Sequence, residues 1–174
     1  SPDFCEKEYA ETDGLITNKK KLAICATCAD CIIMMMYDKK KKVVANVHSG
    51  WRGTVQKVAE KTICKMEELY NCNPKDIICC ISPSIRNCHF EVGEDVKNIF
   101  EETFTTMADE IIKKQEKWYI DTVKLNIEML KSKGLKEENI VDSKICTVCN
   151  SNLIHSYRGS NKHNGLEIGI IELK

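Results

Sequence analysis

Apolar residues in the first fifty positions of this chain fall into short, compact runs. Residues 22–26, 32–37 and 43–48 are each brief, apolar and bounded by charged or turn-forming residues, the pattern of buried strands. Asp13-Gly14 marks a turn ahead of a further short strand at 15–17. The lysines at 39–42 read as a solvated hairpin turn between Tyr37 and Val43. After Gly53 the rhythm changes. Val55, Val58, Ala59, Ile63, Met66, Leu69 and Tyr70 recur every three or four positions, which predicts an amphipathic helix ending near Asn71, ahead of Pro74. Residues 77–81 read as the next strand, and Ser82-Pro83-Ser84 ends it and opens a loop through Asn87, Cys88 and His89. Residues 93–104 and 121–133 read as helices, the second with Gly134 just beyond its end. Residues 140–141, 145–148 and 166–173 read as closing strands. Helices and strands mix without regular alternation, so the expected fold is α+β, a single domain with mixed β-sheets and flanking helices.

Composition narrows the class. A chain of 174 residues is long enough for one domain with a sizeable core. Its 26 basic residues balance 26 acidic ones, so no overall field favours nucleic acid or an anionic membrane. No apolar stretch approaches the roughly 20 residues that cross a bilayer. The start, Ser1-Pro2-Asp3-Phe4, shows no signal-peptide pattern and no initiator methionine, and it reads as the edge of a longer chain. The eleven cysteines are odd in number, and Cys25, Cys79 and Cys80 sit inside apolar runs as small hydrophobes would. Reduced thiols in a cytoplasmic protein are therefore expected. The chain contains neither a Gly-x-Gly-x-x-Gly nor a Walker-type loop, which argues against a nucleotide-cofactor fold.

Candidate chemistry gathers at Ala29-Asp30-Cys31 and His48-Ser49-Gly50-Trp51-Arg52-Gly53. A strand return would bring Cys31 and His48 together, as a thiolate–imidazolium nucleophile or as two ligands of a zinc ion. Asp30 is placed to hold an imidazole or a metal's water. Arg52 supplies a cation for phosphate or carboxylate, and Trp51 a face for stacking or packing. Cys25, Cys28 and Cys31, with Cys146 and Cys149 later, invite a metal-cluster reading. Their flanks look like strands without knuckle glycines, however, and residues three apart on a strand point to opposite faces, so structural cysteines are expected. Cys88 and His89 lie in a loop that either lines the same pocket or faces solvent. His155 and His163 sit in polar surroundings, and Tyr157 and Arg158, at the start of a turn, are placed to reach a ligand.

Thr27-Cys28-Ala29-Asp30-Cys31, His48-Ser49-Gly50-Trp51-Arg52-Gly53, Ser82-Pro83-Ser84-Ile85 with Phe90-Glu91-Val92-Gly93, and Ser156-Tyr157-Arg158 occur in the order and approximate spacing of the YfiH/laccase-domain family. The chain resembles that family, formerly labelled polyphenol oxidase or multicopper laccase, from Thr12 to Leu173. The resemblance implies zinc-dependent purine nucleoside phosphorylase activity, with adenosine deamination and methylthioadenosine phosphorolysis in some members. It implies zinc as cofactor, with Cys31 and His48 as two of three ligands. The third, a histidine in a Gln-Val-His motif, is expected upstream of Ser1, since no histidine precedes His48. Purine nucleosides and phosphate are the implied partners; the charge and position of Arg52 put phosphate beside it, and Trp51, Ser84, Cys88, His89, Tyr157 and Arg158 are candidate substrate contacts. Ser82 stands where the family usually has glycine, and Leu166 where it often has arginine. Two other readings remain. One is a cysteine hydrolase or amidase, as in the deamidases that share the fold, with Cys31 as nucleophile and His48 as base. The other is a metal-free, non-catalytic module.

Overall fold

The computed structural model describes residues 12–106, 111–114, 116–160 and 165–174, so the start of the chain and His163 lie outside the described residues. Its strands are β1 (Gly14–Thr17), β2 (Ile24–Cys28), β3 (Ile32–Asp38), β4 (Val43–Ser49), β5 (Ile77–Ile81), β6 (Glu91–Val92), β7 (Ile111–Lys114), β8 (Lys117–Ile120), β9 (Ile140–Asp142) and β10 (Glu167–Ile171). Its α-helices are α1 (Trp51–Val55), α2 (Val58–Tyr70), α3 (Glu94–Thr103) and α4 (Thr122–Ser132). The main sheet has the order β1-β4-β3-β5-β9, antiparallel except where β9 runs parallel to β5. A two-stranded sheet pairs β10 with β2, and a three-stranded one has the order β6-β8-β7.

Alternation along β4 shows how the layers form. Val43, Ala45 and Val47 join the main core with Met34, Met36, Ile63, Met66, Phe100 and Leu130, on the face covered by α2 and α4. Val44, between them, packs on the opposite face with Ile24 and Leu173, beneath the β2–β10 ribbon. Buried Asn46 shares that second face and donates through Nδ2 to the carbonyls of Ile24 (3.0 Å) and Gly169 (2.7 Å), joining the two sheets. Gly169 is needed for this approach, because a Cβ there would lie 2.7 Å from Ile33 Cγ2.

The mixed α+β architecture matches the expectation, and strands 15–17, 32–37, 43–48, 77–81 and 140–141 fall within a residue or so of where the pattern puts them. Several details differ. The helix expected after Gly53 starts earlier, at Trp51, and breaks at Lys57, which takes the left-handed conformation (φ 58°) and divides α1 from α2. The strand expected at 22–26 is shifted to Ile24–Cys28, because pairing with β10 sets its register from Ile24↔Ile171 to Cys28↔Glu167. Leu22 is left exposed. Of the three cysteines read as core hydrophobes, Cys79 is buried but Cys25 and Cys80 are exposed. Residues 145–148 form no strand: Cys146 makes a single bridge to Ser84, and the chain then turns. The turn is set by bonds that a strand would forbid, with the Thr147 hydroxyl on Asp30 and the Asn150 N–H on the carbonyls of Cys146 and Thr147. The β6–β8–β7 sheet was not foreseen; strands of two to four residues carry too little pattern to read. Among the described residues no helix is long and apolar enough to cross a membrane.

Candidate functional site

The β3–β4 pairing aligns Ile33 with His48 and Ile32 with Ser49, so Cys31 and Gly50 meet at one end of the main sheet. A Cβ built on Gly50 would lie 3.2 Å from Cys31 Sγ and 3.7 Å from His48 Nε2. Glycine thus leaves open a cradle that sulfur and imidazole both face. His48 Nδ1 lies 2.9 Å from Asp13 Oδ1, and the His48 backbone N–H donates to the Asp13 carbonyl at 2.7 Å. A carboxylate behind Nδ1 orients the ring and leaves Nε2 as the nitrogen available at the cradle. Sequence reasoning missed Asp13, whose only signal was a turn before β1. That turn becomes chemical because β1 pairs with β4 and sets Gly14 opposite Val47.

Below the cradle, Ser49, Thr54 and Asn126 form a buried network. Ser49 Oγ donates to Asn126 Oδ1 (3.2 Å), and Asn126 Nδ2 donates to Thr54 Oγ1 (3.0 Å) and to the Thr122 carbonyl (2.8 Å). Thr54 Oγ1 donates in turn to the Gly50 carbonyl at 3.0 Å. The strand-to-helix corner carrying His48 is thereby tied to both α1 and α4. Burial, then the carboxylates of Asp30 and Asp13, push the Cys31 thiol up from its ordinary value. Such a thiol ionises when a cation takes its proton's place.

Asp30 does not hold the imidazole; Asp13 does. Asp30 is buried, with φ at 73°, and both its oxygens are engaged elsewhere: Oδ1 accepts the Thr147 hydroxyl at 2.5 Å and Oδ2 accepts the Arg158 backbone N–H at 2.7 Å. It pins the 147–158 segment against the cleft. Cys28 is also structural, its sulfur donating to the Cys31 carbonyl at 3.1 Å, and burial and Glu167 keep it a thiol.

The cleft beside Cys31 has a volume of about 160 Å³, and its walls include Trp51, Ile85, Phe90, Thr122, Tyr157 and Arg158. Tyr157, Arg158 and Trp51 therefore line the cleft beside Cys31. Arg52 does not line the cleft: it is exposed, with its guanidinium stacked 4.3 Å above the Trp51 ring. Ser84 is fully buried and outside the cleft, its backbone bonded to Ile145 and Thr147.

Cys88 and His89 are not in the cleft wall either. They meet Cys146 and Cys149, which sequence reasoning had treated as separate structural cysteines. His89 Nδ1 lies 3.2 Å from Cys88 Sγ, 3.4 Å from Cys149 Sγ and 3.7 Å from Cys146 Sγ. Cys88 Sγ lies 3.5 Å from Cys146 Sγ and 3.7 Å from Cys149 Sγ. Burial opposes ionisation of Cys146. The backbone N–H groups of Cys149 and Arg86, then the Cys88 thiol and His89, outweigh it and bring Cys146 down to about 6. The Cys146-x-x-Cys149 spacing was visible in the sequence. Its partner was not, because Cys88-His89 lies in a loop almost sixty residues earlier.

Known proteins agree with this architecture. A purine nucleoside phosphorylase of Clostridium acetobutylicum is 36% identical over 164 residues, covering 92% of this chain and 66% of its own length. A purine nucleoside phosphorylase of Bacteroides thetaiotaomicron is 35% identical over 137 residues, covering 78% of this chain and 51% of its own. The chain thus spans half to two thirds of the length of these relatives. The crystal structure of the hypothetical protein YfiH from Bacillus licheniformis superposes with a TM-score of 0.88 at 27% identity, over 94% of this chain and 62% of that one. With a family match running from residue 3 to residue 174, on a sheet that brings Cys31 and His48 to one cradle, the chain belongs to the multi-copper polyphenol oxidoreductase laccase family.

Proposed function

We propose that the Cys31–His48 cleft serves phosphorolysis of purine nucleosides, with a zinc ion at the cradle. The observation that carries this reading is the space over Gly50, bounded by one sulfur and by an imidazole whose other nitrogen is backed by Asp13. A thiolate and a carboxylate-backed imidazole make a donor set suited to zinc, so the residues present fit the ion. Bound there, zinc supplies Lewis-acid polarisation of a substrate oxygen or nitrogen. The third ligand implied by the family resemblance has no counterpart among residues 1–47, which contain no histidine.

The chain's own residues have separate tasks. Trp51, Phe90 and Tyr157 offer aromatic surface to a flat purine. Arg158 Nη1 donates to the carbonyls of His89 (3.4 Å) and Glu91 (3.3 Å), which steadies a guanidinium at the cleft for phosphate. This gives Arg158, rather than Arg52, the phosphate role. A phosphate oxygen attacks the anomeric carbon of the ribose, and the bond to the purine nitrogen breaks. The purine leaves with the bonding pair and takes up a proton, so the products are ribose 1-phosphate and free base.

The relatives' names support this reading. A cysteine hydrolase is the weaker alternative, because burial and two carboxylates disfavour the Cys31 thiolate that it needs. The test compares the phosphate dependence of base release in Arg158→Ala and Arg52→Ala. We expect Arg158→Ala to raise the KM for phosphate about tenfold or more, the loss of about 1.4 kcal/mol or more of binding, and Arg52→Ala to leave it nearly unchanged. Base release independent of phosphate in every variant would contradict the proposal.

A further inference from the structure

We propose that Cys88, His89, Cys146 and Cys149 form a closed, tetrahedral structural zinc centre, separate from the Cys31–His48 cradle. Among the described residues this is the group of three or more His, Cys, Asp or Glu donors whose ligand atoms converge, all within 4.8 Å of one another. The edge lengths are diagnostic. With Zn–S near 2.3 Å and Zn–N near 2.0–2.1 Å, a tetrahedral ion sets its sulfurs about 3.8 Å apart and each sulfur about 3.6 Å from the nitrogen. Two of the three sulfur–sulfur edges here are 3.5 and 3.7 Å, the third, Cys146 to Cys149, lies within 4.8 Å, and the sulfur–nitrogen edges are 3.2, 3.4 and 3.7 Å. The four donors therefore stand close to the corners of a zinc-sized tetrahedron. Three thiolates and an imidazole are a soft set that favours zinc over hard cations such as magnesium or calcium. Four protein ligands also leave no open position, which marks a structural rather than a catalytic site.

The backbone is folded to fit. Residues 147–150 turn, so that the Asn150 N–H and the Asn150 side chain both donate to the Cys146 carbonyl, at 3.2 and 2.8 Å. This brings Cys149 back over Cys146, and the backbone N–H groups of Cys149 and Arg86 donate to the Cys146 sulfur. All four cysteine and histidine side chains come from just two loops, and none of the three thiols is in a disulfide. The ion would staple the loop after β5 to the loop before β10. Those loops carry Phe90, Tyr157 and Arg158 to the cleft, so the centre positions the cleft wall without touching substrate.

This inference does not depend on the proposed reaction, because it is read as metal content. The protein is purified under reducing conditions, and zinc per chain is measured in the wild type, in Cys88→Ser/Cys149→Ser and in Cys31→Ala/His48→Ala. The expected result is one zinc ion per chain in Cys31→Ala/His48→Ala, and one zinc ion fewer than the wild type in Cys88→Ser/Cys149→Ser. A zinc content in Cys88→Ser/Cys149→Ser equal to the wild type's, or a zinc-free Cys31→Ala/His48→Ala, overturns it. If Cys88→Ser/Cys149→Ser fails to fold, cobalt added to the chelator-stripped wild type decides. Tetrahedral visible bands with the charge-transfer intensity of three thiolates support the centre. An octahedral spectrum, or the intensity of a single thiolate, overturns it.

Discussion

At the scale of single residues, Asp13 and Gly50 shape the space between Cys31 and His48. Asp13 fixes the imidazole through Nδ1, and Gly50 keeps clear the space both donors face. Asp13→Asn should weaken zinc binding at the cradle about 10- to 100-fold, as loss of a ligand's carboxylate partner generally does. Competition against a chromophoric chelator measures this, and unchanged affinity would place the Asp13 contact outside the site. A second residue-scale consequence concerns Asp38, at the end of β3. Burial opposes its ionisation, but the N–H groups of Lys41 and Lys40, the Cys72 thiol and the Asn73 N–H outweigh it and hold the carboxyl below the usual range. A depressed carboxyl stabilises the fold fully above its unfolded value of about 3.9, and that contribution is lost as pH falls through its folded value. Asp38→Asn should therefore narrow the difference in urea midpoint between pH 7 and pH 3, and an unaltered difference would show that Asp38 contributes nothing to it. The pairing of Cys31 with His48 was legible because two strands and a tight return leave little freedom. Asp13 was not legible, since β1–β4 pairing, which no local pattern records, is what brings it to the ring.

At the scale of elements, the buried Ser49–Thr54–Asn126 network joins β4, α1 and α4 into one corner. Asn126→Ala takes one partner from each of two buried hydroxyls, which keep each other at 3.1 Å, and should cost about 1 kcal/mol of stability, read from chemical denaturation. A loss near zero would show that water replaces the amide. Gly169→Ala should also destabilise, because its Cβ would press on Ile33 Cγ2 within the seam between two sheets. Helices α3 and α4 were legible to within a residue of each end, since their caps at Gly93 and Asp121 are written locally. The break at Lys57 and the turn after Cys146 were not. The first rests on one left-handed residue that no local pattern marks, and the second depends on tertiary bonds from Asp30 and Ser84.

At the scale of the molecule, one end of the main sheet collects the candidate chemistry found among the described residues. The cradle lies at the β3–β4 end, and the thiol cluster lies on the loops that form the opposite wall of the cleft. Asp30 links them, its backbone carbonyl accepting from Ile85 and its side chain from Thr147 and Arg158. The four motifs carrying the family resemblance are the four segments that meet here, so the sequence order concealed a spatial cluster that the topology reveals. The proposed reaction at this end of the sheet is transfer of a ribosyl group from a purine to phosphate. Phosphorus NMR of inosine or adenosine with inorganic phosphate tests it most directly, comparing the wild type with Cys31→Ala. Inorganic phosphate is expected to convert to a sugar 1-phosphate in step with free purine, and Cys31→Ala to slow this about 100-fold or more, or about 2.7 kcal/mol. Free purine without a sugar phosphate, or an undiminished rate in Cys31→Ala, would contradict it.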